Sequence, residues 1–210
     1  MRVAVALVAL AGCASLPQGE YRGDVYQHRD HAYSFRVPNA WRGAAADDLE
    51  AFAYFSLALR LTHDPGRVRE RLKGAWKYID AALVSSQGAG IFAMTAPNPD
   101  GVRLPREAEI SRAEREMLID FARKEFSGGL GAQSKSFLLE SADLNQYGPN
   151  PALSLNIRSR QAFLGGPLRV RALMLTGRRH VVMLAHVGIP EDGDAGLDAL
   201  DAVVRSFRFD

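Results

Sequence analysis

Five histidines are the residues of this chain best suited to ligand or proton chemistry, and two of them, His28 and His31, stand beside Asp24 and Asp30. Imidazole nitrogens and carboxylate oxygens make the donor set of a Zn²⁺ or Cu²⁺ site when the fold brings them to one point. Tyr26 to His28 and Tyr33 to Val37 are short runs of strand formers, so the four residues would gather around one hairpin turn. Turns favour polar residues for reasons of their own. The reading adopted is therefore a solvated polar turn, with no metal and no cofactor. His180 and His186 lie six positions apart on one strand-like run, roughly 20 Å at about 3.3 Å per residue, too far to share an ion. His63, ahead of Asp64-Pro65, reads as a helix end.

The remaining motifs offer little catalysis. Gly88-Ala89-Gly90-Ile91-Phe92-Ala93 fits the GxGxxA dinucleotide pattern, which needs a helix after the glycines to meet a pyrophosphate. Ile91 to Thr95 is strand-like and Pro97 follows, so a hairpin turn is the better reading. Gly128-Gly129-Leu130-Gly131 closes a helix where a phosphate loop would open one. GxSxG, HExxH and the Walker lysine pattern are absent. Glu114, Glu116, Asp120 and Glu125 read as a solvated helix face. No catalytic residue is assigned, and the chain is read as a non-enzyme.

Two groups of cations stand out. Arg67, Arg69, Arg71 and Lys73, with Arg60 before them, could contact an anionic partner such as lipid headgroups or cell-wall polyanions. Glu70 interrupts them, and an ordinary exposed helix face explains them as well. Arg158, Arg160, Arg169 and Arg171 fall on adjacent predicted strands. Like charges across strands repel, so this group requires acidic neighbours or an acidic partner. Bulk charge excludes nucleic acid as a partner, because Lys+Arg 26 stands against Asp+Glu 24.

The single cysteine can form neither an internal disulfide nor a CxxC metal site. Its position is informative. After Met1-Arg2, residues Val3 to Leu10 are only Val, Ala and Leu, too short a run for a span of about 20 residues. The run ends in Leu10-Ala11-Gly12-Cys13, which resembles the lipobox of bacterial lipoproteins. That resemblance implies cleavage between Gly12 and Cys13 and lipidation of Cys13. Two or more acyl chains make a stable anchor where one gives only reversible binding. Residue 14 is Ala and not Asp, which by the sorting rule of enterobacterial lipoproteins implies the outer membrane, facing the periplasm. Removal of residues 1–12 takes away only Arg2, leaving a near-neutral domain.

The elements that must carry these residues follow from periodicity. The lipobox resemblance implies that residues 1–12 are a signal peptide and that 13–23 are the lipidated cysteine and a polar tether, with 24–210 expected as one domain. An almost wholly apolar helix is expected over Leu49 to Leu61, and a further helix from Val68 to about Lys77. Ala81 to Ser85 and Ile91 to Thr95 form a second hairpin. Ala96 to Arg106, with three prolines, is irregular. Ser111 and Glu114 form a capping box for a helix whose apolar face holds Ile110, Met117, Leu118, Phe121 and Phe126. Alternation at Leu153, Leu155 and Ile157, and again through Arg169 and Arg171, marks an antiparallel meander with turns at Gly165-Gly166-Pro167 and Gly177-Arg178-Arg179. His180 to Ile189 is a strand covered on both faces. Leu197, Leu200, Val204 and Phe207 mark a closing helix. The fold class is α+β, helices on an antiparallel sheet.

The opening hairpin with Tyr33-Ser34-Phe35-Arg36-Val37-Pro38 and Trp41, the late meander, and the ending helix with Val203-Val204-Arg205-Ser206-Phe207 are similar to the PsbP-like α/β/α sandwich. Asp47 to Lys77 departs from that pattern and would be an insertion. The resemblance implies a binding or assembly role and transfers no active site. The expected function is a cell-envelope lipoprotein whose periplasmic domain is a non-enzymatic interaction module with an envelope protein partner. A carrier of an apolar or lipid ligand on the Leu49 to Leu61 helix is the alternative, and an envelope hydrolase a distant third.

Overall fold

Strand-forming residues open the described part of the chain with β1 (Gly19–Arg22), β2 (Val25–His28) and β3 (Tyr33–Arg36). β4 (Trp41–Gly43), β5 (Ala81–Ser85) and β6 (Gly90–Pro97) follow, and then helix α1 (Arg112–Gly128). Four long strands come next: β7 (Phe137–Tyr147), β8 (Asn150–Phe163), β9 (Gly166–Thr176) and β10 (His180–Gly188). Helix α2 (Ala195–Ser206) and the short β11 (Arg208–Phe209) close the chain. This computed structural model describes residues 19–44, 79–86, 89–128, 137–163, 166–188 and 195–210. Leu10 to Cys13, the tether as far as residue 18, Arg60, His63, the Leu49 to Leu61 segment, and Arg67, Arg69, Arg71 and Lys73 lie outside the described residues.

The strands form two antiparallel sheets instead of the single one expected. The larger runs β4-β5-β6-β10-β9-β8-β7 and the smaller β1-β2-β3-β11. Side-chain alternation sends each face of the large sheet into a different core. On one face Leu153, Leu155, Ala172, Met174 and Ala185 pack with Ala122 of α1. On the other, Leu173, Leu175, Val182 and Leu184 meet Leu200, Val203 and Phe207 from the α2 region together with Tyr26, Tyr33 and Phe35 of the small sheet. β10 supplies residues to both cores, so its nearly unbroken apolar run is covered on both sides as expected.

Several expectations are corrected. Gly19–Arg22 is not tether but a strand, paired Gly19↔His28 and Tyr21↔Tyr26. Tyr21 also donates its hydroxyl to the Ala82 carbonyl at 2.8 Å, joining this edge to the large sheet. The meander has a fourth strand, β7, which the alternation hid because a bulge between Leu139 and Ser141 changes which face each residue meets. The capping box of α1 is present, with Ser111 Oγ donating to Glu114 at 2.7 Å and accepting from the Glu114 N–H at 3.3 Å. Met117, however, is 63% exposed. The buried face turns through Ile119 and Ala122 because the small Ala122 sits against the sheet.

Candidate functional site

His28 and His31 do come together, His31 on an exposed turn as expected and His28 buried beneath it. His28 ends β2 and is 2% exposed, because its ring is enclosed between the two sheets. The chain then turns through Arg29 to Ala32, whose φ of 50° lies in the left-handed region. This turn folds the His31 ring onto that of His28, with centroids 4.2 Å apart and planes 13° from parallel. His180, at the start of β10, approaches His31 at 4.8 Å. His186 sits elsewhere, buried beside Trp41, with centroids 6.5 Å apart. The conclusion that His180 and His186 cannot share an ion holds.

The carboxylate at the centre of this group is neither Asp24 nor Asp30 but Asp80, immediately before β5. Its Oδ1 lies 3.7 Å from His28 Nε2 and its Oδ2 3.7 Å from His31 Nδ1. Tyr33 donates its hydroxyl to Oδ2 at 3.2 Å, and Thr95 of β6 donates to the same oxygen. Tyr26 donates to the Asp80 backbone carbonyl at 2.7 Å, and the Asp80 N–H donates to Ala93 O at 2.8 Å. One residue of the large sheet's approach thus ties down β2 and β3 of the small sheet.

Electrostatics follow from burial around that charge. Burial pushes the Tyr33 and Tyr26 hydroxyls well above the ordinary tyrosine range, and the nearby Asp80 charge adds to it. Burial raises Tyr21 to about 12. The His28 imidazole is held below its ordinary value because burial outweighs the attraction of Asp80. His180 is lowered too, by burial and then by His31.

The donor atoms of His28, His31 and Asp80 lie within 4.8 Å of one another, a separation a divalent ion could bridge. Two features oppose that use. Nitrogen lone pairs lie in the ring planes, and the stacked His28 and His31 rings direct theirs along parallel planes instead of toward one point. The His31 backbone N–H also donates to His28 Nδ1 at 3.1 Å, so the neutral ring carries its proton on Nε2 and points it at Asp80. The arrangement is a hydrogen-bonded knot between sheets, and chemistry at the Asp80 carboxylate would have to displace the Tyr33 and Thr95 hydroxyls.

The other singled-out residues are placed as follows. Ala89-Gly90 leads into β6 and not a helix, with Ser85 N–H donating to Ala89 O at 3.0 Å. Arg158 meets Glu140 at 3.0 Å. Arg171 meets Asp201 at 3.5 Å and donates to the Tyr147 hydroxyl at 2.6 Å. Arg158 and Arg171 thus have the acidic neighbours the group required, Arg169 is exposed with no acid against it among the described residues, and the Arg160 side chain lies outside them. Burial raises the Asp201 carboxyl, and Arg171 and Arg205 offset part of that. Asp80 and Thr95 escaped sequence reading because only the register of β5 and β6 brings them opposite His28. A lone Asp directly ahead of the apolar Ala81–Val84 run was the available signal.

No protein-family model and no curated protein matches this sequence. Among solved structures, the solution structure of cyanobacterial PsbP (CyanoP) from Synechocystis sp. PCC 6803 superposes with a TM-score of 0.51 at 12% identity, covering 96% of this chain and 99% of that one. A protein from Bacteroides thetaiotaomicron VPI-5482 gives 0.47 at 8% identity, covering 90% and 49%. LpqN, involved in cell envelope biogenesis of Mycobacterium tuberculosis, gives 0.45 at 13%, covering 83% and 81%. The chain shares the α+β fold of cyanobacterial PsbP, as its hairpin, meander and closing helix implied.

Proposed function

We propose that this chain is a lipid-anchored protein of the bacterial cell envelope whose PsbP-like domain works by holding a protein partner and catalyses no reaction. The observation that carries the non-enzymatic part is the closure of the Asp80 knot. A general acid or base must present its proton to a substrate, whereas Asp80 is engaged by Tyr33 and Thr95 and faced by His28. The lipobox-like Leu10-Ala11-Gly12-Cys13 supports the anchor, and Ala14 supports the outer membrane. Among the described residues no helix is long and apolar enough to cross a membrane.

Fractionation of cells expressing the wild type and Cys13→Ser tests the anchor. The wild type is expected in the outer-membrane fraction and the variant in the soluble periplasm; a variant that still pellets with membranes overturns it. Crosslinking in intact cells tests the partner. A discrete adduct that persists in Cys13→Ser, at lower yield, supports a partner held by the domain, and a protein that crosslinks only to lipid refutes it.

A further inference from the structure

Across the small sheet's last strand from the Asp80 knot, the chain builds a cleft of about 770 Å³. Its two walls are pinned by buried or half-buried asparagines. On one side Asn98, 7% exposed, donates to the carbonyls of Val102 and Gly177 at 2.8 Å each and accepts from the Val102 N–H at 3.1 Å. The Leu104 N–H donates to Thr176 Oγ1 at 2.7 Å, so the irregular segment after β6 is fastened to the end of β9. On the other side Asn150 donates to the carbonyls of Val204 and Phe207 at 2.9 Å each. Pro105, Pro149 and Pro151 stiffen both walls. Phe209 lies between them, so close to Gly177 that a Cβ there would fall 2.7 Å from its ring.

Three guanidinium groups line this scaffold, those of Arg103, Arg106 and Arg178. Glu109 and Asp210 line it as well. Even so, among the described residues none of the three guanidiniums has closed onto a carboxylate or any other partner. Glu109 is instead held by the Arg106 backbone N–H at 3.1 Å. Elsewhere on the surface Arg22, Arg29, Arg112, Arg115, Arg123 and Arg158 find acids. Arg36, Arg169, Arg179 and Arg205 form no ion pair among the described residues, so what sets the cleft apart is three open guanidiniums around one concavity. The cleft therefore combines a fixed concave floor with forked donors left open, the combination that binds a planar or tetrahedral oxyanion on an apolar body.

We propose that this cleft binds an amphiphilic anion, its phosphate or carboxylate gripped by Arg103, Arg106 and Arg178 and its apolar part resting on Leu104 and Phe209. Such a group is carried by an anionic lipid headgroup or by a free amphiphile. The site is independent of the protein-holding role, and it would operate whether or not Cys13 is lipidated.

The test is amide chemical-shift titration of the full chain carrying Cys13→Ser. One arm adds dodecyl phosphate below its micelle concentration, and the other compares phosphatidylglycerol-containing bicelles with bicelles of phosphatidylcholine alone. Saturable shifts at Leu104, Gly177 and Phe209 are expected in at least one arm; the first identifies a free amphiphile and the second a headgroup. The triple variant R103Q/R106Q/R178Q is expected to weaken binding at least about tenfold, the loss of more than one charge-assisted contact. The control R22Q/R112Q/R123Q removes the same charge elsewhere and is expected to bind as the parent does. Absence of saturable shifts in both arms overturns the proposal, as does an equal loss in the control, which would mean attraction by bulk charge alone.

Discussion

The Asp80 knot and the arginine-lined cleft lie on either side of the same short strand, β11, yet they use polar residues in opposite ways. In the knot, a half-buried carboxylate gathers hydroxyl donors, Tyr33 and Thr95 on the Asp80 side chain and Tyr26 on its backbone carbonyl, while His28 and His31 stand 3.7 Å off it. In the cleft, buried Asn98 and half-buried Asn150 satisfy the backbone, while the charged ends of Arg103, Arg106 and Arg178 remain unengaged. A polar group that closes on its own fold stabilises it, and one left open at a pinned surface is available to something else. Perturbed titration and dense aromatic stacking mark the first region, and neither identifies a place where a ligand enters.

If that contrast is right, the largest loss of stability belongs to Asp80. Asp80→Ala strands the hydroxyls of Tyr33 and Thr95 between the sheets, and we expect a loss of about 3 kcal/mol, since each buried orphan costs about 1–3 kcal/mol. Urea unfolding followed by circular dichroism measures it, and a loss under about 0.5 kcal/mol, the range of surface changes, would erase the contrast. Tyr33→Phe removes one donor and leaves Thr95 on the carboxylate, so about 1–2 kcal/mol is expected in the same experiment.

A smaller effect separates floor from rim within the cleft. Gly177→Ala places a methyl 2.7 Å from the Phe209 ring, and the ring must move or the β9–β10 turn must strain. A loss of about 1 kcal/mol is expected, with displaced ring resonances of Phe209 as the signature. Unchanged Phe209 resonances would mean that the floor is not pinned.

Acid sharpens the contrast from the other side. Burial holds His28 below its ordinary value of 6.5 in the folded chain, so the unfolded chain takes up the proton first as pH falls. Stability is whole above about 6.5 and declines below it. The imidazolium would face Asp80 and Asp30, which favour it, and His31 and His180, which oppose it. Unfolding free energy measured between pH 7 and pH 5 should therefore fall, and fall less steeply in His28→Gln. It will not become flat, because His180 is depressed by the same burial. Parallel curves for the two proteins would remove His28 from the account.

How far these regions could be read beforehand depended on whether their signals were local. Alternation carried the meander, because Leu153 and Leu155 report one face with no reference to distant residues. Ser111 and Glu114 announced the start of α1 by spacing alone, and the apolar run from Val181 was legible as a strand covered twice. β7 was lost where the Leu139/Ser141 bulge broke its period. β1 was lost because Gly19-Glu20-Tyr21-Arg22 is polar, its strand state set by pairing with β2 and by the Tyr21 bond to Ala82. His28 and His31 were legible as a pair, but the pairing register alone selects Asp80 over the nearer Asp24 and Asp30. The cleft left the faintest trace. Its prolines marked an irregular stretch and its Gly177-Arg178 a turn, and nothing in either segment told of the other.

The least effect on stability is expected from the three arginines, and it bears most directly on the contrast. Each guanidinium is exposed and unpartnered among the described residues, so R103Q/R106Q/R178Q removes no internal bond. Unfolding free energy should stay within about 0.5 kcal/mol of the parent. A small gain is the more informative result, since three like charges held at one cleft repel when no anion lies between them. Added phosphate should then stabilise the parent and leave the variant unmoved, because a ligand that binds only the folded chain raises its stability in proportion to occupancy. A loss comparable with that of Tyr33→Phe would mean that the arginines serve the fold after all, and that the two regions differ in exposure but not in purpose.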